Sequence, residues 1–202
     1  MVNYKYFIGI DEVGRGPIAG PVTVCAVISN AGRVVENFDG IKDSKKLTEK
    51  GRQKWFGKIK EARDNKILKF AVFSTSNKII DKIGIVGAVS LCIKNCLVKL
   101  NSEPDETYII LDGSLHAPKI YKYQETIIKG DEKEPLIAMA SIVAKVCRDS
   151  FMERLPDKYA AYGFHKHKGY GTKAHYAAIM QHGVSDLHRR TFLKPSTQVS
   201  PV

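Results

Sequence analysis

The chain has 202 residues, which is enough for one domain with a full hydrophobic core. Its 32 Lys and Arg against 21 Asp and Glu give a formal net charge of +11, which indicates a polyanionic partner. No apolar run approaches the roughly 20 residues of a membrane-spanning helix, so we expect no membrane insertion. The four cysteines form no C-x-x-C pair, which argues against a disulfide framework or a zinc site. Because free thiols suit a reducing compartment and the first strand begins almost at once, leaving no signal peptide, we predict a cytoplasmic protein.

The first part of the chain predicts a meander of three strands followed by a helix. Residues 3–11 form a strand that ends at Asp11. Residues 21–28 give a second strand and, after a turn signal, residues 33–36 give a short third one. Thr48 can cap a helix that runs to about residue 64, with its apolar side chains on one face.

The remainder of the chain alternates between helix and strand, which with the meander predicts an α/β fold with a mixed central sheet flanked by helices. The predicted elements are a strand at 67–74, a helix at 85–100, strands at 108–111 and 126–128, and helices at 136–154 and 172–181. In such sheets, ligands lie beyond strand ends where the connection direction switches. Asp11 and Asp112 each close a strand, so they share one edge of the sheet if those strands are parallel neighbours.

Strand-end carboxylates are the main candidates for chemistry, and they are Asp11, Glu12, Asp112 and Asp131. Adjacent carboxylates repel each other unless a cation lies between them. Oxygen ligands without Cys or His suit Mg²⁺ or Mn²⁺. Two such ions about 4 Å apart can activate water and stabilise the leaving oxygen of a phosphodiester. For Asp112 followed by Gly113, taken alone, a turn is the competing interpretation.

Groups that suit a phosphate backbone occur at both ends of the chain. The Gly14-Arg15-Gly16 loop can bring backbone N–H groups close to a phosphate. After Asp157 there are seven Lys or Arg against one acid, interleaved with aromatic residues that suit sugar faces. A solvated surface with packed aromatics below it has the same composition. His165 and His167 form an H-x-H pair, which is more often substrate-facing or structural than a metal site.

Six blocks of the sequence resemble those of the type 2 ribonucleases H, the ribonuclease HII family. The blocks are residues 9–17, 43–47, 111–113, 129–131 with 140–149, 162–172 and 188–192. They occur in the family's order and extend over nearly the whole chain. Three positions depart from the family pattern: Ala160 stands where proline is common, Met139 where a small residue is common, and Thr191 where serine is common.

The resemblance implies a ribonuclease H-like fold with a C-terminal helical extension. The catalytic domain would cover residues 1–155, and a basic extension packed on it would cover residues 156–202, with a loose tail after about 193. The implied activity is endonucleolytic cleavage of the RNA strand of RNA–DNA hybrids, and cleavage 5′ of single ribonucleotides embedded in duplex DNA. Two-metal-ion hydrolysis would leave 3′-hydroxyl and 5′-phosphate ends. These nucleic acids are the expected partners of a monomeric enzyme.

The same resemblance implies roles for individual residues. Asp11, Glu12, Asp112 and Asp131 match the family's catalytic and metal-binding carboxylates, with Mg²⁺ or Mn²⁺ as cofactor. Gly14, Arg15 and Gly16 match the loop that reads the sugar at the RNA–DNA junction. Tyr170 matches the tyrosine that packs on the neighbouring deoxyribose. Three other tyrosines lie near Tyr170 in the sequence and stay open as alternatives, namely Tyr159, Tyr162 and Tyr176.

Several polar side chains are predicted to neutralise or bind phosphates without reading sequence. They are Ser44, Lys45, Lys46, Lys166, Lys168 and Arg189. Ser44 has an equally good alternative as the cap of the helix that follows it.

Two other functions stay open at the level of the residues. A structure-selective DNA nuclease on a similar fold would cut a DNA-only junction but not a duplex with one ribonucleotide. A non-catalytic binding module would bind nucleic acid without metal-dependent hydrolysis. That module has no use for four strand-end acids, which would repel the ligand in the absence of metal.

Overall fold

The computed structural model describes residues 4–30, 38, 40–41 and 47–194. Their centre is a five-stranded sheet in the order β3-β2-β1-β4-β5. The strands are β1 (Tyr6–Val13), β2 (Val22–Asn30), β3 (Leu68–Thr75), β4 (Thr107–Asp112) and β5 (Gln124–Ile127). The first three pair antiparallel, whereas β1 with β4 and β4 with β5 pair parallel. The predicted mixed sheet is therefore confirmed.

Helices cover both faces of this sheet. They are α1 (Glu49–Asp64), α2 (Asn77–Leu100), α3 (Gly130–Lys133), α4 (Pro135–Glu153), α5 (Phe164–His167) and α6 (Lys173–His182). The apolar side of α2 packs in one buried cluster with β1, β2 and β4, and α1 and α4 pack in a second cluster on the opposite face. This arrangement buries the alternating side chains of the central strands on both sides, as expected for an α/β sheet.

Most predicted elements lie within a few residues of the observed ones, with three exceptions. The predicted strand at 33–36 lies outside the described residues. Helix α2 begins eight residues before the predicted helix at 85–100, because Gly84 (φ 74°, ψ 165°) kinks the backbone where the apolar period begins. The short helix α3 occupies the segment that was predicted to close a strand near Asp131.

Helix α2 bears on the expectation that no helix spans a membrane, which stays a prediction. By length and composition alone, one helix of the described residues, α2, is long and apolar enough to cross a membrane. Its buried side chains, including Val89, Cys92, Ile93 and Leu97, pack on the sheet.

The register of the central strands determines where the acids lie. In the parallel pair of β1 and β4, Ile10 lies opposite Leu111. Asp11 and Asp112, the next residues along each strand, therefore share one edge of the sheet. Helix α4 crosses β1 at close range, since a Cβ atom on Gly9 would lie 2.3 Å from the carbonyl carbon of Leu136. Only glycine permits this approach, which brings the first turns of α4 over the same edge.

Residues after α4 pack around the loop that joins β1 to β2. Ala19 in this loop contacts a buried cluster with Met152, Tyr162 and Phe164, and it forms an isolated antiparallel bridge with His188. The C-terminal residues up to 194 therefore lie against the sheet domain. The proposed division near residue 155 stays a prediction, and the tail from 195 lies outside the described residues.

Candidate active site

One cavity of about 430 Å³ opens at the edge shared by Asp11 and Asp112. Its lining consists of Asp11, Glu12, Val13, Gly14, Arg15, Gly16, Arg52, Asp112, Ser141, Lys145 and Tyr170. Seven of these are predicted site residues, and they come from β1, the loop after it, β4 and the segment before α6. The fold thus brings together residues that are up to 159 positions apart in the sequence.

The carboxylates of Asp11 and Glu12 are held in an unfavourable electrostatic environment. Burial raises the pKa of Asp11 well above its usual range, and the charges of Glu12 and Asp112 add to this shift. Burial also raises the pKa of Glu12, with Asp112 contributing, although Arg15 opposes the shift from 3.5 Å. Hydrogen bonds from Ser141 and from the Glu12 amide, at 2.7 Å, favour the ionised form of Asp11.

Asp112 is tied to the start of α3, where Asp131 lies. The amide N–H of Gly130 donates to Oδ1 of Asp112 at 2.7 Å. A Cβ atom on Gly130 would lie 2.6 Å from Cδ1 of Ile137, so this approach needs glycine. The structure therefore places Asp131, which is fully buried, one residue from the group that holds Asp112. Asp131 does not belong to the cavity lining, so its predicted ligand role stays a prediction.

The residues at this edge fit a hard divalent cation by their chemistry. Asp11, Glu12 and Asp112 supply only oxygen donors, which Mg²⁺ and Mn²⁺ prefer. The charges of Glu12 and Asp112 add to the raised pKa of Asp11, and the charge of Asp112 adds to that of Glu12; a bound cation would remove this repulsion. Among the described residues, however, no group of three or more His, Cys, Asp or Glu stands at the spacing of a preformed metal site. The donor types therefore support a divalent cation at this edge, although the described side chains do not adopt the spacing of metal ligands.

Two parts of the cavity wall face each other at short range. A Cβ atom on Gly16 would lie 3.8 Å from Cε1 of Tyr170, whose side chain is 43 % exposed. Of the four tyrosines considered as sugar contacts, Tyr170 is the one that lines the cavity. Tyr159 and Tyr162 are buried among apolar side chains instead. The geometry thus favours Tyr170 as the residue that acts with the glycine loop.

The predicted phosphate-binding side chains have different outcomes. Ser44, Lys45 and Lys46 lie outside the described residues. The ammonium group of Lys168 pairs with Glu153 at 2.6 Å and donates to the carbonyl of His165, so it is turned away from the cavity lining. Lys166 is exposed.

The prediction that Arg189 neutralises a phosphate is wrong. Its side chain is fully buried. The guanidinium donates to the backbone carbonyls of Gly14, Arg15 and Gly20, at 2.6, 2.9 and 3.0 Å. A group enclosed in this way cannot reach a duplex.

Four cavity residues were not predicted as site residues, namely Val13, Arg52, Ser141 and Lys145. The i, i+4 spacing of Lys145 and Asp149 predicts a surface ion pair, which does form at 3.0 Å. Its side chains are only 28 % and 16 % exposed, because Lys145 faces the cavity. Ser141 and Lys145 share a face of α4 by the same spacing, and two polar groups in an otherwise apolar stretch were the available signal. Nothing in the sequence pattern points to Arg52.

The fold and the acid-lined edge define a hydrolase of the ribonuclease H-like class. The sequence model of the family described as Ribonuclease HII matches residues 8–196. The chain belongs to the ribonuclease HII family, and it is a ribonuclease H endonuclease.

Individual relatives agree with this assignment. Ribonuclease HII of Caldicellulosiruptor bescii is 43 % identical over 193 residues, which cover 95 % of this chain and 88 % of the relative. The structure of ribonuclease H2 from Pyrococcus horikoshii has 28 % identity and a TM-score of 0.69, covering 92 % of this chain and 93 % of that one. Ribonuclease HII of Archaeoglobus fulgidus, solved in a complex with PCNA, has 26 % identity and a TM-score of 0.70, covering 91 % and 93 %.

Proposed function

We propose that this enzyme cleaves the RNA strand of RNA–DNA hybrids and cuts 5′ of single ribonucleotides in duplex DNA, leaving 3′-hydroxyl and 5′-phosphate ends. One observation carries the proposal. The acids Asp11 and Glu12 line the same cavity as the Gly14–Gly16 loop and Tyr170. A nucleotide that lies between the loop and the tyrosine therefore has its phosphate next to the carboxylates.

The acids Asp11, Glu12, Asp112 and Asp131 are proposed to hold two Mg²⁺ or Mn²⁺ ions. When bound, such ions supply an activated water and stabilise the leaving oxygen of the phosphodiester. The protein itself contributes a rigid edge of two parallel strands and the hydrogen bond from Gly130 that orients Asp112. Burial first, and then the charge of Asp112, raises the pKa values of Asp11 and Glu12, so a bound cation would stabilise their ionised forms.

Recognition of the ribonucleotide is assigned to the loop and the tyrosine. The 2′-hydroxyl is the group that distinguishes RNA from DNA at one nucleotide, and it can both donate and accept a hydrogen bond. Backbone groups of a glycine loop can approach it closely, because no Cβ intervenes. The ring of Tyr170 would pack under the next sugar, where a second 2′-hydroxyl would weaken the contact. This arrangement favours a junction from RNA to DNA over continuous RNA.

Cations around the cavity are proposed to bind the phosphate backbone. Arg15, Arg52 and Lys145 line the cavity. Contacts of this kind position a duplex without reading its sequence, and they make affinity decrease with salt.

We also propose that the enzyme acts in the cytoplasm, since its four cysteines are free thiols that suit a reducing compartment. We propose further that it acts as a monomer.

A single assay tests the proposal. Duplex DNA with one ribonucleotide is incubated with the enzyme and Mg²⁺ or Mn²⁺, and the cut is mapped together with its end groups. We expect one cut on the 5′ side of the ribonucleotide, and no cut in the matched all-DNA duplex. Cleavage of a DNA-only junction without cleavage of this substrate would instead favour a structure-selective DNA nuclease. Tight binding without metal-dependent hydrolysis would favour a binding module.

A further inference from the structure

Arg189 fixes the direction in which the glycine loop presents its backbone. Its Nη2 and Nη1 atoms donate to the carbonyl oxygens of Gly14 and Arg15, at 2.6 and 2.9 Å. In a trans peptide the carbonyl and the following N–H point in opposite directions. Since these two carbonyls face the guanidinium, the amides of Arg15 and Gly16 point away from it. Both residues line the cavity, so Arg189 determines which backbone groups are turned from the protein interior.

The neighbouring His188 is connected to Tyr170 by a directed chain of hydrogen bonds. The amide of Ser185 donates to Nδ1 of His188 at 2.9 Å, so the His188 proton resides on Nε2. Nε2 of His188 then donates to Nε2 of His175 at 3.0 Å. Nδ1 of His175 donates to the carbonyl of Tyr170 at 2.8 Å. Burial lowers the pKa of each histidine to about 4, so both are neutral, as this chain requires.

The backbone of the two residues is held against the loop that follows β1. The amide of Arg189 donates to the carbonyl of Ile18 at 2.8 Å, and His188 bridges Ala19. The side-chain amide of Asn77 donates to the carbonyl of His188 at 3.0 Å. The dipeptide therefore has little freedom of its own. The groups that its two side chains bind, the Gly14–Gly16 loop and the ring of His175, are therefore held at a fixed separation.

We propose that His188 and Arg189 are positioning residues that set the distance between the Gly14–Gly16 loop and Tyr170, and thereby the selectivity for a ribonucleotide junction. Arg189 holds the loop directly, and His188 holds Tyr170 through His175. The inference rests on the proposed role of the loop and tyrosine as the sugar-recognition site. It goes beyond that role by naming the residues that impose its spacing. Misplacement of reacting groups by about 1 Å can cost on the order of 100-fold in rate, so spacing of this kind matters.

A matched pair of variants separates this role from a general structural one. In His188→Gln the side-chain amide can replace Nε2 as the donor to His175. In His188→Asn the shorter side chain reaches only the position of Nδ1, so the bond to His175 is lost. Each variant is assayed on a duplex with one ribonucleotide and on a continuous RNA–DNA hybrid. The readout is the ratio of the two kcat/KM values, which cancels the fraction of folded enzyme because both substrates meet the same preparation.

We expect the ratio to fall about tenfold or more in His188→Asn and to stay within about threefold of wild type in His188→Gln. Arg189→Lys keeps the charge but lacks the planar fork of donors that reaches the carbonyls of Gly14, Arg15 and Gly20 together, so its ratio should fall as in His188→Asn. Arg190→Lys, at the exposed neighbouring position, is the control and should leave the ratio unchanged. Equal losses on both substrates, or an unchanged ratio in His188→Asn, would overturn the inference.

An NMR measurement decides the inference independently of the substrate. The peptide plane of Tyr170 includes the amide of Gly171, and the plane of Arg15 includes the amide of Gly16. We expect the Gly171 resonance to shift in His188→Asn but not in His188→Gln, and the Gly16 resonance to shift in Arg189→Lys. Unchanged resonances would refute positioning whatever the enzyme cleaves. If the resonances shift but wild type ignores single ribonucleotides, positioning holds and the proposed substrate is wrong.

Discussion

Buried charge is arranged in opposite ways on the two sides of the candidate active site. On the acid side, at the ends of β1 and β4, burial and the charges of neighbouring carboxylates raise the pKa values of Asp11 and Glu12. On the other side, called here the extension side and formed by α4 and the residues after it, Arg148 and Arg189 are as deeply buried, but they donate to backbone carbonyls of the loop between β1 and β2. The acid side thus holds carboxylates whose charges disfavour one another, as expected for the cation site proposed above. The extension side uses its own cations as fixed supports for the backbone.

We expect the largest effect on activity from the removal of one charge on the acid side. Asp11→Asn should lower kcat by about 1,000-fold or more, a change of about 4 kcal/mol, because the lost charge weakens binding of the catalytic cation. Binding to the duplex should stay within about threefold. Steady-state kinetics and fluorescence anisotropy with a labelled duplex measure the two effects. Asp105→Asn, at a largely exposed acid, is the control. Normal turnover by Asp11→Asn would refute the catalytic role.

A substitution between the two sides should have the next largest effect. A Cβ atom on Gly14, at φ 92°, would lie 2.3 Å from Nε of Arg148. Gly14→Ala should therefore lower the free energy of unfolding by about 3 kcal/mol and strongly reduce cleavage at a single ribonucleotide. Gly84→Ala is the matched control, since its φ is also positive but nothing lies within 4 Å of its added Cβ. Equal losses in urea unfolding of the two variants would show that the close approach to Arg148 is unimportant.

Addition of a divalent cation should stabilise the acid side and so increase the difference between the two sides. At a concentration of Mg²⁺ or Mn²⁺ about 100 times its dissociation constant, binding to the native state adds about 2.7 kcal/mol to the free energy of unfolding. Thermal unfolding of the metal-free protein during a titration measures this gain. Asp112→Asn should lose most of it, whereas Arg190→Lys should keep it. The same gain in both variants would place the cation elsewhere.

The two sides should respond to pH with opposite signs. The pKa values of His175 and His188 are lowered to about 4, from 6.5 in an unfolded chain. Between these values the unfolded chain binds protons that the folded protein does not. The free energy of unfolding therefore falls as pH decreases from about 6.5 to about 4, by up to about 1.4 kcal/mol per pH unit for each histidine. The raised pKa values of Asp11 and Glu12 do the reverse, since their contribution is present at low pH and is lost as pH rises through those values.

Urea unfolding of the metal-free protein from pH 4.5 to 7.5 measures these slopes. His175→Gln should make the loss on acidification shallower, and Asp11→Asn should make it steeper. A steeper loss of stability on acidification in His175→Gln would contradict the lowered pKa of His175.

The smallest effect is expected for the ion pair at the cavity rim. Lys145→Gln removes a partner of Asp149 that lies at 3.0 Å and is partly exposed, so the free energy of unfolding should fall by about 1 kcal/mol or less. The KM for a duplex should rise a few-fold, and the dependence of KM on salt should weaken, since one phosphate contact is lost. Lys158→Gln, in an exposed pair with Asp186, serves as the control. An unchanged salt dependence would remove Lys145 from the proposed interface.

The acid side was largely predictable from the sequence, and the extension side was not. Apolar periodicity and strand ends locate Asp11 and Asp112, and their shared edge follows once β1 and β4 pair in parallel. Arg189 looked like a phosphate ligand because a basic residue in a basic segment usually faces solvent. Its contact with Gly14 joins residues 175 positions apart, and no local period encodes that pairing. The sequence predicted a strand end at Gly130 and Asp131, where the structure has the helix α3. A helix of four residues is too short to show a period.

The long reach of Arg189 has a consequence for synthesis. During synthesis, β1 and its acids emerge well before the guanidinium that orients the Gly14–Gly16 loop. Arg189 follows Gly14 by 175 residues. A nascent chain that ends before residue 189 can form much of the sheet but lacks this support. The support for the Gly14–Gly16 loop is therefore complete only after residue 189 has been added. A truncated product would keep its acids without the loop geometry that restrains where they act.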